Sequence, residues 1–181
     1  MEKSTESTVW TADQSHSEIE FAVRHMMIST VKGQFNKFTL KAEGNENDPE
    51  KGSVEVHIDA STIETRENDR NNHLKSPDFF HVEKFPEIVF KSTSIKKAGK
   101  DEFTVKGKMT IRDVTRDMEF KVTQDGIIKD PYGKTRAGIS VEGEITREDF
   151  GLTWNMLLEA GKVMVGSKVK LSGRFELIKQ E

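Results

Sequence analysis

An all-β fold, an extended eight-stranded antiparallel barrel, is what this sequence predicts, on three observations. Apolar and polar residues alternate in run after run from residue 18 onward. Turn-forming clusters, "EGNENDPEKG", "KAGKDE", "QDG" and "DPYGK", separate the runs. Helical spacing is weak everywhere except residues 64 to 75. A long one-sided sheet must hide its apolar face, and closing on itself also removes its edges. Too few residues remain for a second sheet, so a barrel fits better than the alternative, a sandwich.

Residues 1–9 are expected to be a flexible tail, with one domain spanning 10–181. In "SEIEFAVRHMM", Ile19, Phe21, Val23 and His25 share one face and Glu18, Glu20 and Arg24 the other. "FNKFTLKA" follows, then Val54, Val56 and Ile58 against Glu55, His57 and Asp59. "EIVFKSTSI" is the fourth strand, Phe103 to Ile111 the fifth and Met118 to Val122 the sixth. Ala137, Ile139, Val141, Gly143 and Ile145 make the seventh, and Val169, Leu171, Gly173, Phe175 and Leu177 the eighth. Glycines 33, 107, 138, 143 and 173 fall inside these patterns, where bulges or bends are expected. A barrel of this size can hold one small ligand. The inward residues are aliphatic and aromatic, a pattern that a filled core and a ligand cavity share.

Composition narrows the function. Hydrophobic and charged residues balance at 34% and 33%, and no run of eighteen apolar residues exists. A net charge of −3 with both signs interspersed argues against nucleic acid as a partner. "MEKSTESTVW" lacks the apolar core of a secretory signal, so cytoplasmic residence is expected. With no cysteine, disulfides, a thiolate nucleophile and thiolate zinc are excluded.

Sharper chemistry finds little support. His73 and His81 stand eight apart and His16 and His25 nine, without the tight spacing of a zinc pair. Pro49 sits in the would-be ligand loop of "NENDPEKGSVE", against an EF-hand. "GKVMVGSK" has Ser and Lys in the wrong order for a phosphate loop and leads into a strand. No Gly-x-Ser-x-Gly elbow appears, and the parity of Glu142 and Glu144 points them outward.

Two inward or strand-end polar residues stand out. His25 needs a partner, from a neighbouring strand or acid, or from a ligand's polar head. Arg147 in "ITREDFG" could hold an anionic head group, or pair with Glu148 or Asp149. After it, "FGLTWNMLLEAGKVMVG" carries Phe150, Trp154, Met156, Leu157 and Leu158, too much apolar surface to be idle. Packing on the barrel end is the first reading; a lid, a dimer contact or a membrane contact are the others.

Four stretches, "DQSHSEIEFAVRHMMISTVKGQF", "STIETRENDRNNHLKSPDFFHVEKFPEIVFKST", "VKGKMTIRDVTRDMEF" and "ITREDFGL", resemble in order and spacing the motifs of the YceI-like family. The resemblance spans roughly Trp10 to Leu177. It implies a lipocalin-like barrel holding a long-chain amphiphile, a polyisoprenoid or fatty-acid derivative. It also places "HLKSPDFF" in a crossover between the third and fourth strands. There Thr65 would cap a short helix from Arg66, Pro77 would stop it, and Phe79 and Phe80 would form a plug or rim. Its histidines and acids would be a solvated face. Exported members of the family make the periplasm or secretion the alternative location.

The expectation is therefore a non-catalytic protein that binds, carries or sequesters a lipid, without cofactor or metal. The tail would lie among Phe21, Val23, Phe35, Phe38, Val56, Phe90, Met109, Phe120, Ile139 and Val141. His25 and Arg147 would meet the head group, with Phe150 and Trp154 at the mouth. Stable membrane insertion is not expected, and a homodimer is compatible with the apolar residues near Trp154. The alternatives are an enzyme acting on an isoprenoid, quinone-type or fatty-acyl substrate, and a filled-barrel stress-related interaction protein.

Overall fold

The alternating runs become strands. In the computed structural model, which describes residues 6–181, these are β1 (Thr8–Ala12), β2 (Glu18–His25), β3 (Ser29–Phe35), β4 (Phe38–Asn45) and β5 (Asp48–Asp59). There follow β6 (Ile63–Glu64), β7 (Glu87–Gly99), β8 (Glu102–Ile111), β9 (Val114–Lys129), β10 (Thr135–Thr146) and β11 (Val165–Lys179). Residues 1–5 of the expected tail lie outside the described residues, and Thr8 and Val9 already belong to β1.

The barrel closes through β11. One of its edges pairs with β10; the other pairs with β2 up to Arg174 and with β1 from Leu177. β1 and β2 thus form one bent stave, joined by a turn at Gln14–His16 in which the Asp13 carboxylate accepts the Ser15 N–H. β3 and β4, which pair with β2 and β1, form a second stave. With β5 and β7 to β11 the ring has eight staves, all antiparallel, and only the two-residue β6 lies outside it.

Between the third and fourth staves, β5 and β7, the chain crosses one end of the barrel and forms α1 (Asn68–Lys75). Its N-cap is Glu67, not Thr65: the Glu67 carboxylate accepts the Asp69 and Arg70 N–H groups at 3.0 and 2.9 Å. Thr65 is buried and tied to Asn71 instead, its hydroxyl donating to Asn71 Oδ1 at 2.6 Å. Asn71 Oδ1 also accepts the Thr65 N–H at 2.8 Å, so a buried amide anchors the helix. The helix stops at Lys75, two residues before Pro77, whose ring disfavours helical backbone before it.

Inside, four of the five glycines singled out in the strand patterns make room for a phenylalanine ring. A Cβ on Gly33, Gly143 or Gly173 would lie 2.2, 2.5 and 2.5 Å from the rings of Phe21, Phe120 and Phe175. At Gly107 it would meet the Lys91 carbonyl oxygen at 2.3 Å as well as the Phe90 ring. These phenylalanines lie flat along the wall over glycine. Gly138 and Gly107 also sit at shifts of register, where Asp125 bulges from β9 and Thr93 from β7.

Candidate functional site

The inward residues do not fill the barrel. Val23, Val54, Val56, Val122, Ile139, Val141, Val169 and Leu171 all face inward, yet each remains only half-buried. Buried apolar residues surrounded by others lose nearly all exposure; these border open space. The space is a cavity of about 560 Å³, inside the range of small-molecule sites. Its wall is almost wholly aliphatic and aromatic. The filled-barrel alternative does not fit this open interior.

The opening lies at the end crossed by α1. Exposed Arg24, Glu67 and Asp69 line the cavity there, together with half-buried His25, Arg70, His73, Trp154 and Met164. Two segments meet across it. From the crossover come α1, Phe79 and Phe80; from the strap between β10 and β11, residues 147–164, comes Trp154. They touch through rings, His73 to Trp154 at 4.6 Å and Phe79 to Trp154 at 5.6 Å between centroids. Asp78 Oδ2 holds His73 Nε2 at 2.8 Å. The charged crossover therefore turns His73, Glu67, Asp69 and Arg70 toward the mouth, not simply to solvent as its polarity predicts.

At the opposite end the apolar interior is packed. Trp10, Ala137 and Leu177 are buried there and do not line the cavity, with Leu177 paired between Ala12 and Ala137.

Of the expected tail-binding residues, Phe21, Val23, Phe35, Val56, Phe90, Met109, Phe120, Ile139 and Val141 do line the cavity. Phe38 does not; it packs edge-on against Phe175, 5.7 Å between centroids, inside the wall. Phe150 is not at the mouth either. The turn at Arg147–Phe150 tucks it inward, where it is 2% exposed. Trp154 is at the mouth as expected. Sequence reasoning missed Leu40, Leu74, Val105, Ile145 and Val169 as wall residues, although several share the face of residues it did name.

The two polar candidates separate. His25 lines the cavity near its opening, opposite Ser29 and Val165 on neighbouring strands, and its imidazole meets no polar partner among the described residues. Arg147 lines it too but is 3% exposed and fully engaged. Its Nε donates to the Gly166 carbonyl at 2.8 Å and its Nη1 to those of Leu152 and Trp154 at 2.6 and 2.9 Å. Nη2 donates to the Val165 carbonyl at 3.2 Å, with Glu148 3.5 Å away. Burial pulls this guanidinium below its ordinary value, and Glu148 works against that shift. The head-group role expected of Arg147 is corrected: its donors hold the strap.

One cluster of potential metal ligands occurs among the described residues, Asp13, His16 and Glu176, away from the cavity. Arg136 donates to Asp13 and Glu176 at 2.9 and 2.6 Å, so a guanidinium already occupies one oxygen of each carboxylate.

Comparison with known proteins gives the same architecture. The YceI-like domain family matches residues 10–177. A UPF0312 protein of Staphylococcus aureus (strain bovine RF122) is 39% identical over 170 residues, 93% of this chain and 96% of that protein. Burkholderia cenocepacia BcnA superposes with a TM-score of 0.79 at 20% identity, covering 92% of this chain and 98% of BcnA. The Campylobacter jejuni YCEI protein gives 0.74 at 25% identity over 87% and 90% of the two chains. A Saccharophagus degradans domain described as polyisoprenoid-binding gives 0.67 at 12% identity, covering 94% of this chain and 98% of that one.

Proposed function

This chain belongs to the YceI-like family, and from that premise we propose that it binds, and carries or sequesters, one long-chain amphiphilic lipid without transforming it. The observation that carries the reading is the apolar cavity of about 560 Å³, open at one end. At about 30 Å³ for each water-sized group, that volume accommodates on the order of twenty chain carbons. A polyisoprenoid segment or a fatty-acyl chain meets this size, and the related fold of a polyisoprenoid-binding domain supports the former. Burying such a chain at about 0.8 kcal/mol per CH₂ supports tight binding even after ordering costs. The tail lies against Phe21, Phe90, Phe120 and Val141, and the polar head stays at the opening near His25, Arg70 and His73.

The test is native mass spectrometry of freshly purified protein, followed by organic extraction and identification of whatever is released. The expected result is a reproducible adduct that solvent removes and that Val141→Trp, which fills the cavity, fails to retain while keeping its fold. A bare mass that persists after incubation with a twenty-carbon isoprenoid alcohol and with palmitate would overturn the proposal.

A further inference from the structure

The mouth carries a second feature, on its outer side. Met26, Met27 and Ile28, at the turn between β2 and β3, and Met156 and Leu157, on the strap, are 37% to 79% exposed. Backbone hydrogen bonds join them into one rim. The Met26 N–H donates to the Met164 carbonyl at 2.8 Å, and the Met164 N–H to that of Met156 at 3.0 Å. Leu157 bridges to Val163. On the inner side of this rim, His25, Met164 and Val165 line the cavity.

The turn itself is unusual. Met26 and Met27 both have left-handed backbone, φ 51° and 61°. A turn with two such positions favours Asn and Gly, because a Cβ is strained there. Two methionines at that place accept the strain and expose flexible apolar side chains, the kind that adapt to irregular apolar surroundings. Arg24 stands beside them, exposed, its guanidinium donating to the Met27 carbonyl at 3.0 Å. Lys162 is exposed at the tip of the strap, with Glu159 the one carboxylate between residues 151 and 164.

We propose that this rim docks on a lipid bilayer, setting the mouth against the membrane so that cargo passes between bilayer and cavity without crossing water. Apolar side chains with cations at their flank suit an acyl boundary beneath phosphate head groups. A second copy of this chain suits it less: five partly exposed side chains on two narrow tips fall well short of the about 800 Å² per partner in a stable interface. Exposure alone does not decide the matter, since Ile127, Ile128 and Tyr132 are also exposed, around the hairpin between β9 and β10. Continuity with the opening distinguishes the rim. The transfer step rests on the lipid-carrying reading; the docking is measurable without cargo.

The absence of cysteine makes the test direct. Ile28→Cys and Ile128→Cys each carry a single environment-sensitive fluorophore and are mixed with vesicles of phosphatidylcholine, or of phosphatidylcholine and phosphatidylglycerol in equal parts. The Ile28→Cys label is expected to brighten and shift to the blue, and the Ile128→Cys label to stay unchanged. In unlabelled protein, Met27→Ser with Leu157→Asp should lower co-sedimentation with vesicles roughly tenfold or more. The same variant should bind a twenty-carbon isoprenoid alcohol delivered from cyclodextrin as wild type does, which separates docking from carriage. Docking is overturned if the Ile28→Cys label ignores both vesicles, if the two labels respond alike, or if the label is buried by self-association without vesicles.

Discussion

Near the packed end of the barrel, Arg136 gathers three carboxylates on the outer wall: Asp130 at 2.7 Å, Asp13 at 2.9 Å and Glu176 at 2.6 Å. They come from the β9–β10 turn, the β1–β2 junction and β11, so a side-chain network ties three elements together. At the mouth, Arg147 does comparable tying with four backbone carbonyls. Carboxylates titrate and carbonyls do not. One end is thus held by a device that acid can dismantle, while the guanidinium–carbonyl bonds at the other end do not depend on carboxylate ionisation.

The largest effect should come from Arg147→Met. It leaves several carbonyls without donors and frees the strap, and a loss of about 3 kcal/mol or more is expected in urea unfolding. A loss no greater than that of removing Arg136 would break the comparison. Trp154→Ala comes next, at about 2 kcal/mol, since it removes two ring contacts from a half-buried site. Its clearer signature is faster release of a bound fluorescent lipid, because these rings join crossover to strap across the opening. Unchanged release would show that the ring contact is no gate.

The smallest effect at neutral pH is expected of Arg136→Gln, and its pH dependence is what sharpens the contrast. Hydrogen bonds from Ser15 and then Arg136 hold the Asp13 carboxyl well below the usual carboxylate range. Arg136 first, then the Lys134 N–H, lowers that of Asp130. A depressed carboxylate stabilises the fold above its unfolded value, about 3.9, and that stability is lost as pH falls toward the folded value. Wild type should therefore lose stability below about pH 4 more steeply than Arg136→Gln, so that the deficit of the variant narrows in acid. Parallel acid profiles would remove Arg136 from the account.

Legibility in the sequence followed the same division between side chain and backbone. Parity alone places Ile139, Val141 and Phe120 on the inward face, because alternation holds along these stretches of β9 and β10, while the cavity they line is what the family resemblance implies. β1 was missed: five residues, "TVWTA", offer too little alternation, though Trp10 is part of the core. Phe38 had the right face and the wrong role, since ring packing against Phe175, 137 positions away, decides between wall and interior. The partners of Arg147 are carbonyls, which every residue owns and no sequence pattern advertises. Polarity in the crossover suggested a solvated face because the ring that contacts His73, Trp154, lies far along the chain. One signal was available and unused: Phe175 stands two residues after Gly173 on the same face, the mark of a ring lying over glycine.

That last arrangement has a genetic consequence. At Gly33, Gly143 and Gly173 the obstacle to a methyl group is a phenylalanine ring that can tip toward the barrel axis; at Gly107 it includes fixed backbone. Glycine and alanine codons differ by one nucleotide. The bore of this tube is therefore open to heritable narrowing at three separate positions, one base change at a time, with the strand pairing left in place.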